Sequence, residues 1–62
     1  MTNWSLKTMM GMTIARNLTY DLAVAEAIQK SSECVGLFYI ISRSSRLIYW
    51  YQNGRFHKQM GM

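Results

Sequence analysis

Residues 35–60, which read VGLFYIISRSSRLIYWYQNGRFHKQM, decide the fold. Two runs in this stretch, 35–42 and 47–52, are rich in β-branched and aromatic residues, which are typical of strands. The polar residues 43–46 separate the two runs and favour a turn. The stretch therefore predicts a hairpin of two antiparallel strands.

A second turn follows at Asn53-Gly54. Asn-Gly is a strong hairpin signal, because both central positions of a type I′ turn need a positive φ. A third strand over residues 55–59 then folds back on the second. Together the three runs predict an antiparallel meander.

A helix is predicted before the meander. Residues 20–31 are rich in Ala, Leu, Glu, Gln and Lys, which are good helix formers. Thr19 is the predicted N-cap, because its hydroxyl can accept a hydrogen bond from a free N–H of the first turn. At 100° per residue, the apolar residues of this segment share one arc, which we expect to face the sheet. They are Tyr20, Ala23, Val24, Ala27 and Ile28.

Residues 3–17 show an alternation of period two, which predicts two short strands joined by a turn at Met10-Gly11. The alternative is an N-terminal helix, because four apolar residues recur at every fourth position, and Gly11 in its middle counts against it. They are Leu6, Met10, Ile14 and Leu18. The predicted order is ββαβββ. Residues 1–62 thus form a single small α+β domain, an antiparallel sheet with one helix packed on one face.

The predicted turns assign side chains to the two faces of the sheet, because successive side chains of a strand point to opposite faces. The face expected to meet the helix carries Phe38, Ile40, Leu47, Tyr49, Tyr51, Phe56 and Met60. The second face carries Leu37, Tyr39, Ile41, Ile48, Trp50, Gln52, Arg55, His57 and Gln59. One short helix covers only one face. The second face is therefore either available to another molecule or, as the alternative, covered by the N-terminal strands.

The net charge of +4 comes entirely from residues 34–62, which hold four Lys and Arg residues and no acid. Residues 1–33 hold three cations and three acids. A basic half attracts nucleic acid, an anionic membrane or an acidic protein surface. The alternative is that a modest net charge only keeps a small domain in solution.

Few residues in the sequence could support catalysis or hold a cofactor. The one conceivable nucleophile and base are Cys34 and His57, and Cys34 has no neighbouring cation to lower its pKa. We expect Cys34 to be a buried structural thiol and the protein not to be an enzyme, with no metal and no cofactor. The longest apolar run has eight residues, whereas a membrane span needs about 20. A lone thiol favours a cytoplasmic location.

These observations predict a small non-enzymatic binding protein that docks on a macromolecular partner through the second face. The expected contact residues are Tyr39, Arg43, Arg46, Trp50, Arg55 and His57. The expected partner is another protein, either a host factor or a second copy in a homodimer. The small size suggests a phage- or mobile-element-type inhibitor of a host protein. We expect neither a membrane nor a small-molecule substrate. The alternative is single-stranded nucleic acid, whose bases would stack on the aromatic rings.

Overall fold

A computed structural model describes residues 2–61. It contains one helix packed on a five-stranded antiparallel sheet, which confirms the predicted ββαβββ order. The two N-terminal strands are also confirmed, and Gly11 adopts a φ of 88° in the turn between them. The elements are β1 Trp4–Thr8, β2 Thr13–Leu18, α1 Tyr20–Glu33, β3 Leu37–Ser42, β4 Ile48–Gln52 and β5 Arg55–Met60.

The strands lie in the order β2-β1-β3-β4-β5, with β3 at the centre. Strand β1 pairs antiparallel with both β2 and β3, so β2 and β3 run in the same direction. Parallel strands need a crossover connection, and α1 provides it. The helix is thereby held across one face of the sheet.

Helix α1 begins where the sequence predicts. The Thr19 hydroxyl accepts a hydrogen bond from the backbone N–H of Leu22 at 3.2 Å. The predicted apolar arc is confirmed in its middle, where Ala23 and Ala27 are buried, whereas Tyr20 and Ile28 stay exposed. Ser31, which the prediction did not include, is buried as well. The three buried residues all have small side chains, which let the helix lie close to the sheet.

The centre of the core is a pair of residues on neighbouring strands. Leu6 of β1 lies directly opposite Ile40 of β3, and both side chains are fully buried. Ala23 and Ala27 of α1 pack in the same cluster, together with Tyr51. Truncating a buried Leu or Ile to Ala costs about 2–5 kcal/mol, which is a large part of the stability of so small a domain.

An aromatic cluster continues the core toward β5. Trp4 stacks on Tyr49 with ring centroids 5.8 Å apart, and Tyr20 meets both rings edge-on. Phe56 packs beside Tyr49 and Tyr51, yet 55% of its surface is exposed. All six residues of β5 are exposed. The helix therefore covers the middle of the sheet and leaves this edge bare.

The first hairpin has the predicted register, because Ile40 lies opposite Tyr49. In the second turn Asn53 and Gly54 both have positive φ angles, 56° and 78°, as a type I′ turn requires. This turn also meets the helix, since the N–H of Gly54 donates to the Ser31 hydroxyl at 2.9 Å.

The predicted register of β5 is wrong beyond the turn. Tyr51 pairs with Phe56 as expected, but Trp50 pairs with Lys58 because a β-bulge places His57 as an extra residue between them. Lys58 and Met60 consequently share the face of Trp50, and Gln59 takes the helix side. The predicted positions of Met60 on the helix face and of Gln59 on the second face are thus both overturned.

We expect Gly54→Ala to destabilise the protein more than Gly11→Ala. Both glycines have a positive φ, so both substitutions carry the strain of about 1–2 kcal/mol for a left-handed L-residue. Only at Gly54 would the new Cβ meet another atom, the Ser32 Cβ at 3.0 Å. Urea unfolding of both variants checks this, and equal losses would contradict a close contact between turn and helix.

A second prediction concerns alkaline pH. Burial, with a smaller effect of the neighbouring Tyr20 and Tyr49, raises the pKa of Tyr51 above its usual value of 10.0. The folded state then holds this proton more tightly than the unfolded chain, so the free energy of unfolding is unaffected below about pH 10 and falls above it. Tyr51→Phe should remove part of this fall in urea titrations at increasing pH. An equal effect of Tyr39→Phe, on the other face, would contradict the assignment to Tyr51.

Candidate functional site

One face of the sheet has no helix on it. Helix α1 packs on the face of Leu6 and Ile40, and the N-terminal strands extend the edge of the sheet instead of folding across the other face. We call this other face the open face. By pairing and alternation it carries Ser5, Lys7, Thr13, Arg16, Leu37, Tyr39, Ile41, Ile48, Trp50, Gln52, Arg55, Lys58 and Met60.

The middle of the open face is a row of four side chains on four adjacent strands. Lys7 lies opposite Tyr39, Tyr39 opposite Trp50, and Trp50 opposite Lys58. Neighbouring strands are about 4.8 Å apart, so the backbone positions of the two lysines are about 14 Å apart. The row therefore has two aromatic rings with a cation on each side of them, and Thr13 of β2 lies opposite Lys7 at the edge of the sheet.

Two further rows flank this central row. Toward the β3–β4 loop, the row is mainly apolar and consists of Ser5, Ile41, Ile48 and Met60. Toward the β4–β5 turn, the row consists of Leu37, Gln52 and Arg55. The apolar character of the face is thus concentrated between the central row and the loop.

The bulge in β5 changes which residues belong to the site. Unbroken alternation places His57 opposite Trp50, whereas the structure places Lys58 there and leaves His57 without a partner on β4. Sequence reasoning therefore missed Lys58, and it missed Lys7 because the strand next to β3 was unknown. The alternation of residues 4–8 does put Lys7 on the face opposite Leu6, which is the one signal that could have found it.

The two central rings pack against each other. The centroids of Tyr39 and Trp50 are 4.6 Å apart with an interplanar angle of 44°, and both side chains are half-buried. The indole N–H of Trp50 is buried and has no acceptor within the described chain. The two rings therefore form one continuous surface and are not separate platforms on which bases could stack.

The predicted arginines lie at opposite ends of the open face. Arg43 and Arg46 are in the β3–β4 loop, whereas Arg55 follows the β4–β5 turn. The structure thus brings Tyr39 and Trp50 together and separates Arg55 from the other two arginines.

Charge is segregated between the two sides of the sheet. The three acidic residues Asp21, Glu26 and Glu33 all belong to α1, on the side opposite the open face. Six of the seven Lys and Arg residues lie on the open face or in its adjoining loop. They are Lys7, Arg16, Arg43, Arg46, Arg55 and Lys58. An anionic surface would therefore meet cations and no acidic side chain here.

The structure also locates the residues weighed for catalysis. Cys34 is exposed at the C-cap of α1, so the expectation of a buried thiol is wrong. The chain turns away from the helix at this residue and its side chain falls outside the core. Within residues 2–61, no three His, Cys, Asp or Glu residues come together as metal ligands.

Comparisons with known proteins identify no relative. The sequence matches no protein-family model, and it has no significant match to a curated protein or a solved structure. Between residues 2 and 61, there is no helix of the length and apolarity that crossing a bilayer requires.

We expect Trp50→Phe to cost little stability. A buried donor without an acceptor costs about 1–3 kcal/mol, and phenylalanine lacks that donor while keeping most of the apolar contact with Tyr39. Thermal and urea unfolding of the variant should therefore give a free energy within about 1 kcal/mol of the parent. A loss comparable to that of Trp50→Ala would show that the indole N–H does have a partner.

Proposed function

We propose that this protein is a small non-enzymatic binding protein whose open face docks on an acidic surface of another protein. The observation that carries the proposal is the central row, in which Lys7 and Lys58 flank the packed rings of Tyr39 and Trp50. Interfaces commonly combine an aromatic, desolvated centre with a charged rim.

Charge supports an acidic partner over a second copy of the chain. A face-to-face dimer would bring the cations of one open face against those of the other, with no carboxylate side chain on either face to compensate. Like charges placed together across an interface cost several kcal/mol. An acidic partner removes this repulsion and adds attraction.

The geometry of the rings supports a protein partner over single-stranded nucleic acid. Protein sheets that bind single-stranded nucleic acid present separate aromatic rings, on which successive bases stack. Tyr39 and Trp50 instead cover each other at 4.6 Å and are half-buried. A continuous apolar surface of this kind fits a protein surface, and occupying such a surface is also how a chain of 62 residues can inhibit a larger protein.

The test is affinity capture from a lysate of the native cells, followed by binding measurements with the purified captured protein. Two variants of equal charge separate the site from the net charge. Lys7→Gln with Lys58→Gln removes both cations of the central row, and Lys30→Glu alters α1, on the other side of the sheet. Each variant lowers the formal net charge by two, from +4 to +2.

We expect the Lys7 and Lys58 variant to bind the captured protein at least about tenfold more weakly, whereas the control stays within about twofold of the parent. Equal weakening by both variants would mean that net charge alone drives binding, and would reject the proposed site. Capture that is lost on nuclease treatment, with affinity falling steeply as salt rises, would favour the nucleic-acid alternative. A homodimer in sedimentation that Trp50→Ala dissociates would favour self-association.

A further inference from the structure

A cavity of about 500 Å³ lies at the loop end of the open face. Its size falls in the range of small-molecule sites in proteins. Residues of β1, the β3–β4 loop and both flanking strands line it. They are Ser5, Lys7, Ile41, Ser42, Arg43, Arg46 and Ile48.

The lining combines an apolar floor with a basic rim. Ser5, Ile41 and Ile48 are consecutive members of one cross-strand row, so the two isoleucines lie side by side. Three of the seven lining residues are cations, Lys7, Arg43 and Arg46, and none is acidic. Such a site favours a ligand that carries two negative charges and an apolar body.

Hydrogen bonds hold the loop that carries both arginines. The N–H of Arg43 donates to the carbonyl of Asn3 at 2.9 Å, and the N–H of Arg46 donates to the carbonyl of Ser42 at 3.0 Å. The Ser42 hydroxyl accepts from the N–H of Ser45 and lies 3.2 Å from the Ser44 hydroxyl. The loop backbone is therefore fixed before any ligand arrives, which lowers the entropic cost of binding.

Arg46 holds an unusual backbone conformation. Its φ is 59°, in the left-handed region, where Asn and Gly are the residues found at low cost. Among residues 2–61, the other non-glycine residues with positive φ are both asparagines, Asn17 and Asn53. An arginine at this position costs stability that an asparagine or glycine would not, and the cavity gives the side chain a role.

We infer that the cavity binds the phosphate monoester group of a small organic anion. Arginine guanidinium groups can donate two parallel hydrogen bonds to phosphate oxygens. Three cations also attract a phosphate dianion more strongly than a carboxylate ligand, which carries a single negative charge. The isoleucine floor would contact the apolar body of the ligand. This site extends beyond the docking proposal, because it needs no partner protein.

The test is a titration of the ¹⁵N-labelled full chain, followed by two-dimensional NMR, with three probes at constant ionic strength. Phenyl phosphate carries both the dianion and an apolar ring at a pH above its second pKa of about 6. Inorganic phosphate carries the charge without the ring, and benzoate carries the ring with a single charge. We expect phenyl phosphate to bind at least about tenfold more tightly than either, with shifts confined to the cavity residues.

Arg46→Gly is the informative variant, because it removes a cation and also relieves the left-handed strain. We expect the affinity for phenyl phosphate to fall at least about tenfold while the free energy of unfolding stays equal or rises. Arg55→Ala, at the other end of the open face, is the matched control and should leave the affinity unchanged.

Four results would each overturn the inference. They are no saturable binding of phenyl phosphate up to about 10 mM, equal binding of inorganic phosphate, equal binding of benzoate, and equal loss in the Arg46→Gly and Arg55→Ala variants. None of these bears on protein capture through the central row, so the docking proposal and the phosphate site can fail independently.

Discussion

The contact between Ala23 and Ala27 of α1 and the Leu6–Ile40 pair of the sheet is the constraint on which the rest of the structure depends. Small side chains bring the helix close to the sheet, but one helix of this length covers only the central strands. Strand β5 therefore stays exposed along its whole length, and the opposite face carries no helix at all. One of the two faces of the sheet is therefore left without a helix, and the side chains on this open face determine what the protein can bind.

Local signals in the sequence were sufficient to predict the helix, the strands and two of the turns. The Thr19 cap, the Asn53-Gly54 turn and the alternation around Leu6 each depend on a few neighbouring residues, and each is confirmed. The failures concern interactions between distant residues. The buried face of α1 depends on how close the sheet lies, and the bulge at His57 depends on how β5 accommodates the twist beside β4. Neither has a sequence signal that alternation or helical periodicity can detect.

The candidate site shows the same division between local and distant information. Tyr39 and Trp50 were predicted to share a face because one short hairpin relates them, and they are in contact. The lysines on either side of the two rings were missed, since placing Lys7 requires the β1–β3 pairing and placing Lys58 requires the bulge. One extra residue in β5 thus places Lys58 instead of His57 opposite the indole, and this puts a lysine on each side of the two rings.

The sheet edges and the charges would both favour the proposed acidic partner over self-association. Both outer strands are irregular, since β1 and β2 pair with register shifts and β5 contains its bulge, and such features hinder edge-to-edge pairing of sheets. Two open faces placed together would repel each other, because all three acids lie on α1. A half-buried apolar centre would ordinarily favour aggregation, and here the surrounding cations oppose it. The same arrangement would attract an acidic surface, so the features that would oppose self-association are also those that would favour the proposed partner.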